Sequence, residues 1–362
     1  MALRRTAVAA EQAWDGARRL RWRGRAPAEL RIVSYLGHGG PSTAEIRCRV
    51  LAGANPPEAR AGEGPIAAAR RTAARCLTDE VADVPLRFGL GESTAQTVTD
   101  SDGYAHVTMP RPAGLSDDPW STATIELVTP WRGRDRPLSA EAGVRLPRNR
   151  ARLAVVSDLD DTVLVSGTQQ AWRMAYRTIA GSALTRDTFP GTPELYRSLA
   201  RGRSGDADNP VFYVSSSPWN LYGLLTGFLA HRGFPAGPLL LRDLLGSGAP
   251  HTNAVTKLAA ITEVLETHPE LAVLLIGDSG QQDAEIYAEV ARQHPDRVVG
   301  VWVRELQPGT ADDRVARARR SMPAGIPFVV ATDAVGWARD GAAAGLLTAA
   351  DVVAVQRAAQ AG

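Results

Sequence analysis

Four short stretches hold residue types that could act together. SDLDDTV (157–163) carries Asp158, Asp160 and Asp161 within four residues, directly after an apolar run. VSSSP (214–218) carries Ser215, Ser216 and Ser217 at the end of another such run. TNAVTKLAAI (252–261) carries Lys257, the only lysine among 41 Lys and Arg residues. GDSGQQD (277–283) carries Asp278 and Asp283 on either side of a glycine, after LAVLLI. Two carboxylates 4 Å apart repel by about 4 kcal/mol at an effective dielectric near 20. A solvated acidic turn would escape most of that cost. The apolar AVV before Asp158 and VLV after Thr162 press the acids against a core instead, so a cation is expected there. Oxygen ligands suit Mg²⁺, and the sequence offers no His/Cys cluster for zinc. Hydroxyls and free N–H groups ahead of a helix make an anion site. Taken singly, the serines and the GDSGQQD acids also read as ordinary helix caps. Lysine is a compact point charge, whereas arginine's wider fork prefers bidentate partners. The four stretches thus assemble a divalent-metal site beside a cationic phosphate clamp.

The elements that must position these residues alternate in type. Continuous apolar runs at 152–158, 209–217, 237–243, 270–279, 296–304 and 326–332 read as strands. Helical patterns at 168–181, 220–233, 253–268 and 283–295 fall between most of them. Buried strands joined by helices predict a parallel sheet covered on both faces, with ligands bound outside the strands' carboxyl ends. Asp158, Ser215 and Asp278 each stand at such an end. The segment between the first acids and the second strand has room for a small cap only, built from helices at 168–180 and 192–201. A small cap suits a large or membrane-presented substrate better than an enclosed metabolite.

The first ~150 residues have another texture, with alternating strands at 30–37, 44–51, 84–91 and 121–128. Residues 94–109 read as a hairpin turning at Asp100-Ser-Asp-Gly103, and 65–80 as a helix entered at Pro65. The expected organisation is a basic N-terminal helix or tail (1–29), a small antiparallel β-sandwich with a helical insertion (30–130), a Pro- and Arg-rich linker (131–150), the α/β domain (151–345) and a C-terminal helix (346–362). No catalytic constellation lies in the first half.

A net charge of +2 gives no reason to expect nucleic acid as a partner. The two cysteines, Cys48 and Cys76, show no metal spacing and read as buried thiols in a reducing compartment. With no apolar stretch of spanning length and no secretory h-region, the expected location is the cytoplasm. Trp219, Tyr222, Leu224, Leu225, Phe228 and Leu229 have the spacing of a helix's core face; the functional alternative is a lipid-facing wall. Arg242 and Arg304 follow strands and could bind a headgroup or pair with acids.

DLDDT (158–162), Ser215, Lys257 and GDSGQQD, in this order and at strand ends, resemble the four motifs of the haloacid dehalogenase superfamily of phosphohydrolases. VSSSPWNLYGLL (214–225), LLLRD (239–243) and the stretch 277–304 further resemble the catalytic domain of the actin-patch-protein type phosphatidate phosphatases, related in chemistry to lipins. The resemblance covers roughly 150–345. It implies a Rossmann-like parallel sheet and a Mg²⁺-dependent phosphatase with phosphatidate as substrate, and leaves open a peripheral contact with a membrane. Asp158 would be the nucleophile and Asp160 the general acid and base. Mg²⁺ would be held by Asp158, the Asp160 carbonyl and Asp278, with Asp283 supporting metal waters or orienting Lys257. Ser215, with Ser216 beside it and Lys257, would bind phosphate. The alternatives are a phosphatase for a soluble phosphomonoester and a non-catalytic phospholipid-binding adaptor.

Overall fold

The computed structural model describes residues 24–53, 79–115, 117–159, 190–242, 253–279, 282–305 and 313–361. The chain is α/β, with one mainly antiparallel sheet followed by one parallel sheet. The first comprises β1 (Leu30–Ser34), β2 (Gly37–Gly39), β3 (Thr43–Ala52), β4 (Asp79–Glu80), β5 (Pro85–Leu90), β6 (Ser93–Val98), β7 (Tyr104–Pro110), β8 (Trp120–Leu127) and β9 (Ser139–Arg145). The strands connect in the order β1-β3-β2-β9-β8-β5-β6, with β4 and β7 also bonded to β3. Period-two alternation drives the packing. Ala105, Val107 and Met109 of β7 and Ala123, Ile125 and Leu127 of β8 turn into one core while their neighbours face outward.

Two expectations for this half need correction. Residues 131–150 are no linker, because β9 lies within them, antiparallel to β8 and parallel to β2. Its inward residues Ala140, Ala142 and Val144 are small, so prolines and arginines dominate the composition and hide the strand. The run 94–109 is no simple hairpin. The turn forms, with Asp100 Oδ1 accepting from the Asp102 and Tyr104 N–H groups and Gly103 at φ 77°, yet β6 pairs with β5 while β7 pairs with β3. A Cβ on Gly103 would stand 2.5 Å from the Val50 carbonyl oxygen, so neighbouring backbone packs against the turn itself. Of the expected helix 65–80 only Asp79 and Glu80 are described, and they are extended against β3. Residues 1–23 lie outside the described residues.

The parallel sheet comprises β10 (Leu153–Asp158), β11 (Val211–Pro218), β12 (Leu239–Arg242), β13 (Ala272–Asp278), β14 (Val298–Arg304) and β15 (Phe328–Ala331), ordered β12-β11-β10-β13-β14-β15. Helices α1 (Thr192–Arg201), α2 (Tyr222–His231), α3 (Asn253–Thr267), α4 (Asp283–Gln293), α5 (Asp313–Arg320), α6 (Ala334–Ala343) and α7 (Ala349–Ala361) complete it. Alternate residues of β10 feed two cores. Leu153 and Val155 pack with residues of α1, α2, α6 and α7, whereas Ala154 and Val156 pack with residues of α3, α4 and α5. That burial on both faces is why the strand reads as continuously apolar. The chain runs outward through β10, β11 and β12, then returns to β13 on the other side of β10. The boundary between β10 and β13 is therefore a topological switch point, where open α/β sheets bind ligands. Among the described residues no helix is long and apolar enough to cross a membrane.

Candidate active site

Asp158 is the last residue of β10 and Asp278 the last of β13. The strands pair in parallel with Ser157 opposite Ile276, so the register carries both acids to the same end of adjacent strands. Asp283 opens α4, five residues further on. The three carboxylates are fully buried and offer oxygens within 4.8 Å of one another. Gly277 makes this possible: a Cβ there would lie 2.6 Å from Asp283 Oδ2 and 2.7 Å from Tyr287 Cε2. The bare backbone lets the Asp283 carboxylate lie against the strand end, where Oδ2 accepts from the Asp278 N–H at 3.3 Å.

Lys257, in the second turn of α3, points its ammonium into this group. Nζ lies 2.8 Å from Asp158 Oδ1 and also donates to Asp283 Oδ1. Burial alone would push the lysine toward neutrality, but the charges of Asp158 and Asp283 outweigh it and raise its pKa above the ordinary lysine value. Lys257 is thus a fixed cation at any physiological pH. Three carboxylates and one ammonium leave two negative charges in a buried space, the complement of one divalent cation. A donor set made only of hard carboxylate oxygens fits Mg²⁺ and disfavours zinc.

Behind Asp158, the Ser157 hydroxyl hydrogen-bonds the Tyr196 hydroxyl of α1 at 2.6 Å and donates to the Asp158 carbonyl at 2.8 Å. Burial raises the Tyr196 phenol well above its usual range, so it stays protonated as a hydrogen-bond partner. Tyr287 of α4 similarly donates to the Ile276 carbonyl of β13 at 3.1 Å. Sequence reasoning missed Gly277, Tyr196 and Tyr287. Gly277 stood inside a quoted motif and could have been found by asking why glycine precedes Asp278; the tyrosines carry no local signal.

Of the expected site residues, the structure brings together Asp158, Lys257, Asp278 and Asp283. Ser215 lies on the neighbouring strand, one residue past Val214, which pairs with Asp158. Its hydroxyl donates to Ser217 Oγ at 2.7 Å and accepts from the Ser217 N–H at 2.9 Å; Ser216 is half-buried. The serines do not cap a helix. The strand continues through them to Pro218, a 3₁₀ turn at Trp219–Leu221 follows, and neither that turn nor α2 has a side-chain cap. Asp160, Asp161 and Thr162 lie outside the described residues, as does the first expected cap helix, 168–180; the second, 192–201, is no cap but α1, whose Leu195, Tyr196 and Leu199 pack in the core against the sheet. The Arg242 side chain is likewise not described, while Arg304 is buried beside Asp278 in the strand register. The suggested lipid-facing wall is a core face, with Trp219, Leu225, Phe228 and Leu229 buried in the same cluster as Leu153 and Val155.

Residues 153–305 match the family model described as the catalytic domain of phosphatidate phosphatase APP1. The chain is 28% identical over 233 residues to Phosphatidate phosphatase APP1 of Saccharomyces cerevisiae, covering 63% of this chain and 38% of that protein. It is 27% identical over 161 residues to an uncharacterised protein of Schizosaccharomyces pombe, covering 44% of this chain and 26% of that one. The alignments therefore span well under half the length of either curated relative. A solved carbohydrate acetylesterase of Xanthomonas citri shares 9% identity at a TM-score of 0.34, over 89% of this chain and 71% of that one, a likeness too slight to argue from. The resemblance read from the motifs holds at the level of the domain: residues 153–305, which contain the whole carboxylate–lysine cluster, are similar throughout to the APP1 catalytic domain.

Proposed function

We propose that this protein is a Mg²⁺-dependent phosphatidate phosphatase, converting phosphatidate and water to diacylglycerol and phosphate through an aspartyl-phosphate. The observation that carries this reading is the buried group of Asp158, Asp278, Asp283 and Lys257 at the switch point of the parallel sheet, inside the segment similar to the APP1 catalytic domain. In this reading the parallel sheet is the Rossmann-like core of the haloacid dehalogenase type, and the N-terminal sheet folds on itself as a sandwich.

A carboxylate oxygen of Asp158 attacks phosphorus as the bond to the glycerol oxygen breaks, giving an acyl phosphate on Asp158. The Asp160 carboxyl supplies the proton that the leaving alkoxide needs. Water then attacks the same phosphorus, giving its proton to Asp160, and the bond between phosphorus and the Asp158 oxygen breaks to release phosphate. Splitting one displacement into two gives each step an easier path. Lys257 neutralises Asp158 for approach of the anionic phosphoryl group and then faces the charge gathered on its oxygens, while the Ser215 hydroxyl, turning its proton away from Ser217 Oγ, donates a hydrogen bond to the same group. Mg²⁺, held by Asp158, the Asp160 carbonyl and Asp278, would withdraw charge from the phosphoryl oxygens and fix their direction. Asp283 keeps Lys257 in place. The protein would act in the cytoplasm, at the surface of a membrane that presents the lipid.

The test is phosphate release from phosphatidate in mixed micelles, with and without EDTA, for wild type and Asp158→Asn. EDTA-sensitive release that vanishes in the variant supports the proposal. Turnover of p-nitrophenyl phosphate without lipid turnover would keep the chemistry and reject the substrate. Inactivity toward both would reject the phosphatase reading.

A further inference from the structure

We infer that the N-terminal sheet is a positioning part of the active site, clamping its two phosphate-facing elements to each other through Arg47, Tyr35, His38 and Gly40. The inference rests on the phosphatase reading for its catalytic meaning. The elements concerned are the end of β11, which carries Ser215 and passes into Trp219–Tyr222, and helix α3, which carries Lys257. They share one face of the α/β core, where Phe212 and Val214 cluster with Ile261 and Val264, and the N-terminal sheet touches both from outside.

Arg47 of β3 shows the bridging in a single side chain. Its guanidinium lies 5.4 Å from the Trp219 ring centroid and 3.6 Å from Glu263 Oε2 of α3. Around it the sheet takes hold of each element separately. Tyr35 is buried in the α/β core, its ring 4.4 Å from Trp219 and 4.8 Å from Tyr222. The Leu36 N–H donates to the Tyr222 hydroxyl at 2.8 Å, and Arg49 donates to Asn220 Oδ1. Three of the four residues from 219 to 222 are therefore held from outside their own domain, in a turn that has no side-chain cap of its own.

On the other side, the buried His38 lies with Nδ1 3.1 Å from His268 Nε2 and Nε2 3.3 Å from Glu263 Oε1, while its ring packs T-shaped with the Phe212 ring of β11, centroids 5.2 Å apart. Gly40 presses on the last turn of α3 so closely that a Cβ would stand 1.7 Å from the Thr267 carbonyl oxygen. Burial opposes the Glu263 charge, but the His38 hydrogen bond and the Arg47 charge outweigh it and lower its pKa to about 2. Glu263 is thus an anchored anion in the middle of the clamp. A phosphoryl group facing Ser215 and Lys257 needs both held in one geometry, and an error of about 1 Å can cost 10²-fold in rate.

The full-length chain would be compared as wild type, Arg47→Ala, Gly40→Ala and a control, Phe88→Leu, which loosens the N-terminal core away from the clamp. Two readouts apply: kcat and KM on p-nitrophenyl phosphate, too small to reach the N-terminal sheet, and hydrogen exchange of amides in 211–222, 257–268 and 272–278. The clamp predicts kcat lower by about tenfold or more in both clamp variants with KM little changed. It also predicts faster exchange in 211–222 and 257–268 but not in 272–278, and a control that keeps kcat despite a comparable fall in Tm. Tyr222→Phe, which removes only the acceptor of the Leu36 N–H, replaces either clamp variant that does not fold. Unchanged kcat with unchanged exchange, or an equal effect in Phe88→Leu, overturns the inference. Should the wild type turn over no phosphomonoester, the phosphatase reading fails by itself and the exchange data alone decide the clamp.

Discussion

Replacing Asp278 by asparagine should make the metal-free protein more stable while abolishing its activity. Asp158, Asp278 and Asp283 are fully buried with oxygens within 4.8 Å of one another. At that separation and an effective dielectric near 20, each pair of charges repels by about 3.5 kcal/mol. Asp278 takes part in two such pairs; the nearby Lys257 ammonium offsets roughly one, and the buried Arg304 beside Asp278 in the strand register offsets part of the other. Relaxation and the weaker hydrogen bonding of an amide reduce the remainder to an expected gain of about 1–3 kcal/mol in EDTA. For a chain of this size that corresponds to a rise in Tm of several degrees. Asp283→Asn is the matched control. It relieves the same repulsions but also loses the contact ion pair with Lys257, so no gain is expected. Saturating Mg²⁺ reverses the ranking: at 100 times its dissociation constant it would stabilise the wild type by about 2.7 kcal/mol, and Asp278→Asn far less. The assay is thermal or urea unfolding of the three proteins in EDTA and in Mg²⁺. A destabilised Asp278→Asn in EDTA, or equal Mg²⁺ shifts in all three, would refute the reasoning.

Gly277→Ala places a methyl 2.6 Å from Asp283 Oδ2 and 2.7 Å from Tyr287, so the carboxylate must leave its seat; a loss of about 1–3 kcal/mol is expected by urea unfolding, with kcat down by at least about 100-fold. Lys257→Arg keeps the charge but not the compact reach; kcat on p-nitrophenyl phosphate should fall at least about 100-fold, and Lys257→Met should lose about 3–5 kcal/mol in EDTA because two carboxylates are stranded. His268 supplies a pH test. Burial first, then His38, Arg145, Arg297 and Arg111, hold its pKa well below the ordinary 6.5. The unfolded chain therefore takes up a proton near 6.5 that the folded chain refuses, and stability should fall as pH drops below 6.5, by up to about 1.4 kcal/mol per pH unit. The lowered Glu263 pKa acts in another window, costing stability only as pH falls from the usual carboxylate range toward 2. Urea unfolding between pH 7 and 5 should show the slope in wild type and a flatter line in His268→Gln.

The parallel half was legible because burial on both faces writes itself as unbroken apolar runs, and because acids end two such runs in one order with the lone lysine between them. Leu153–Asp158 and Ala272–Asp278 state their ends in the sequence. The N-terminal half was less legible where residues are small or partners distant. Ala140, Ala142 and Val144 fill an inner face without looking apolar enough among the prolines, and the turn at Asp100–Gly103 gives no sign that its two strands pair elsewhere. The aromatic run after Ser217 was readable as a packed face, but not as the place where Tyr35 and Arg47 attach. Such contacts join residues about 170 to 230 positions apart, and no local period records them.

The central claim is that Asp158 carries the phosphoryl group between two displacements. Phosphatidate labelled with ³²P in its headgroup, mixed with enzyme and Mg²⁺ and quenched in acid within milliseconds, reads this directly. The account predicts protein-bound label that is stable in acid, released by hydroxylamine, confined to the peptide containing Asp158 and missing from Asp158→Asn. Turnover with no label on the protein, or label on a serine, would contradict it.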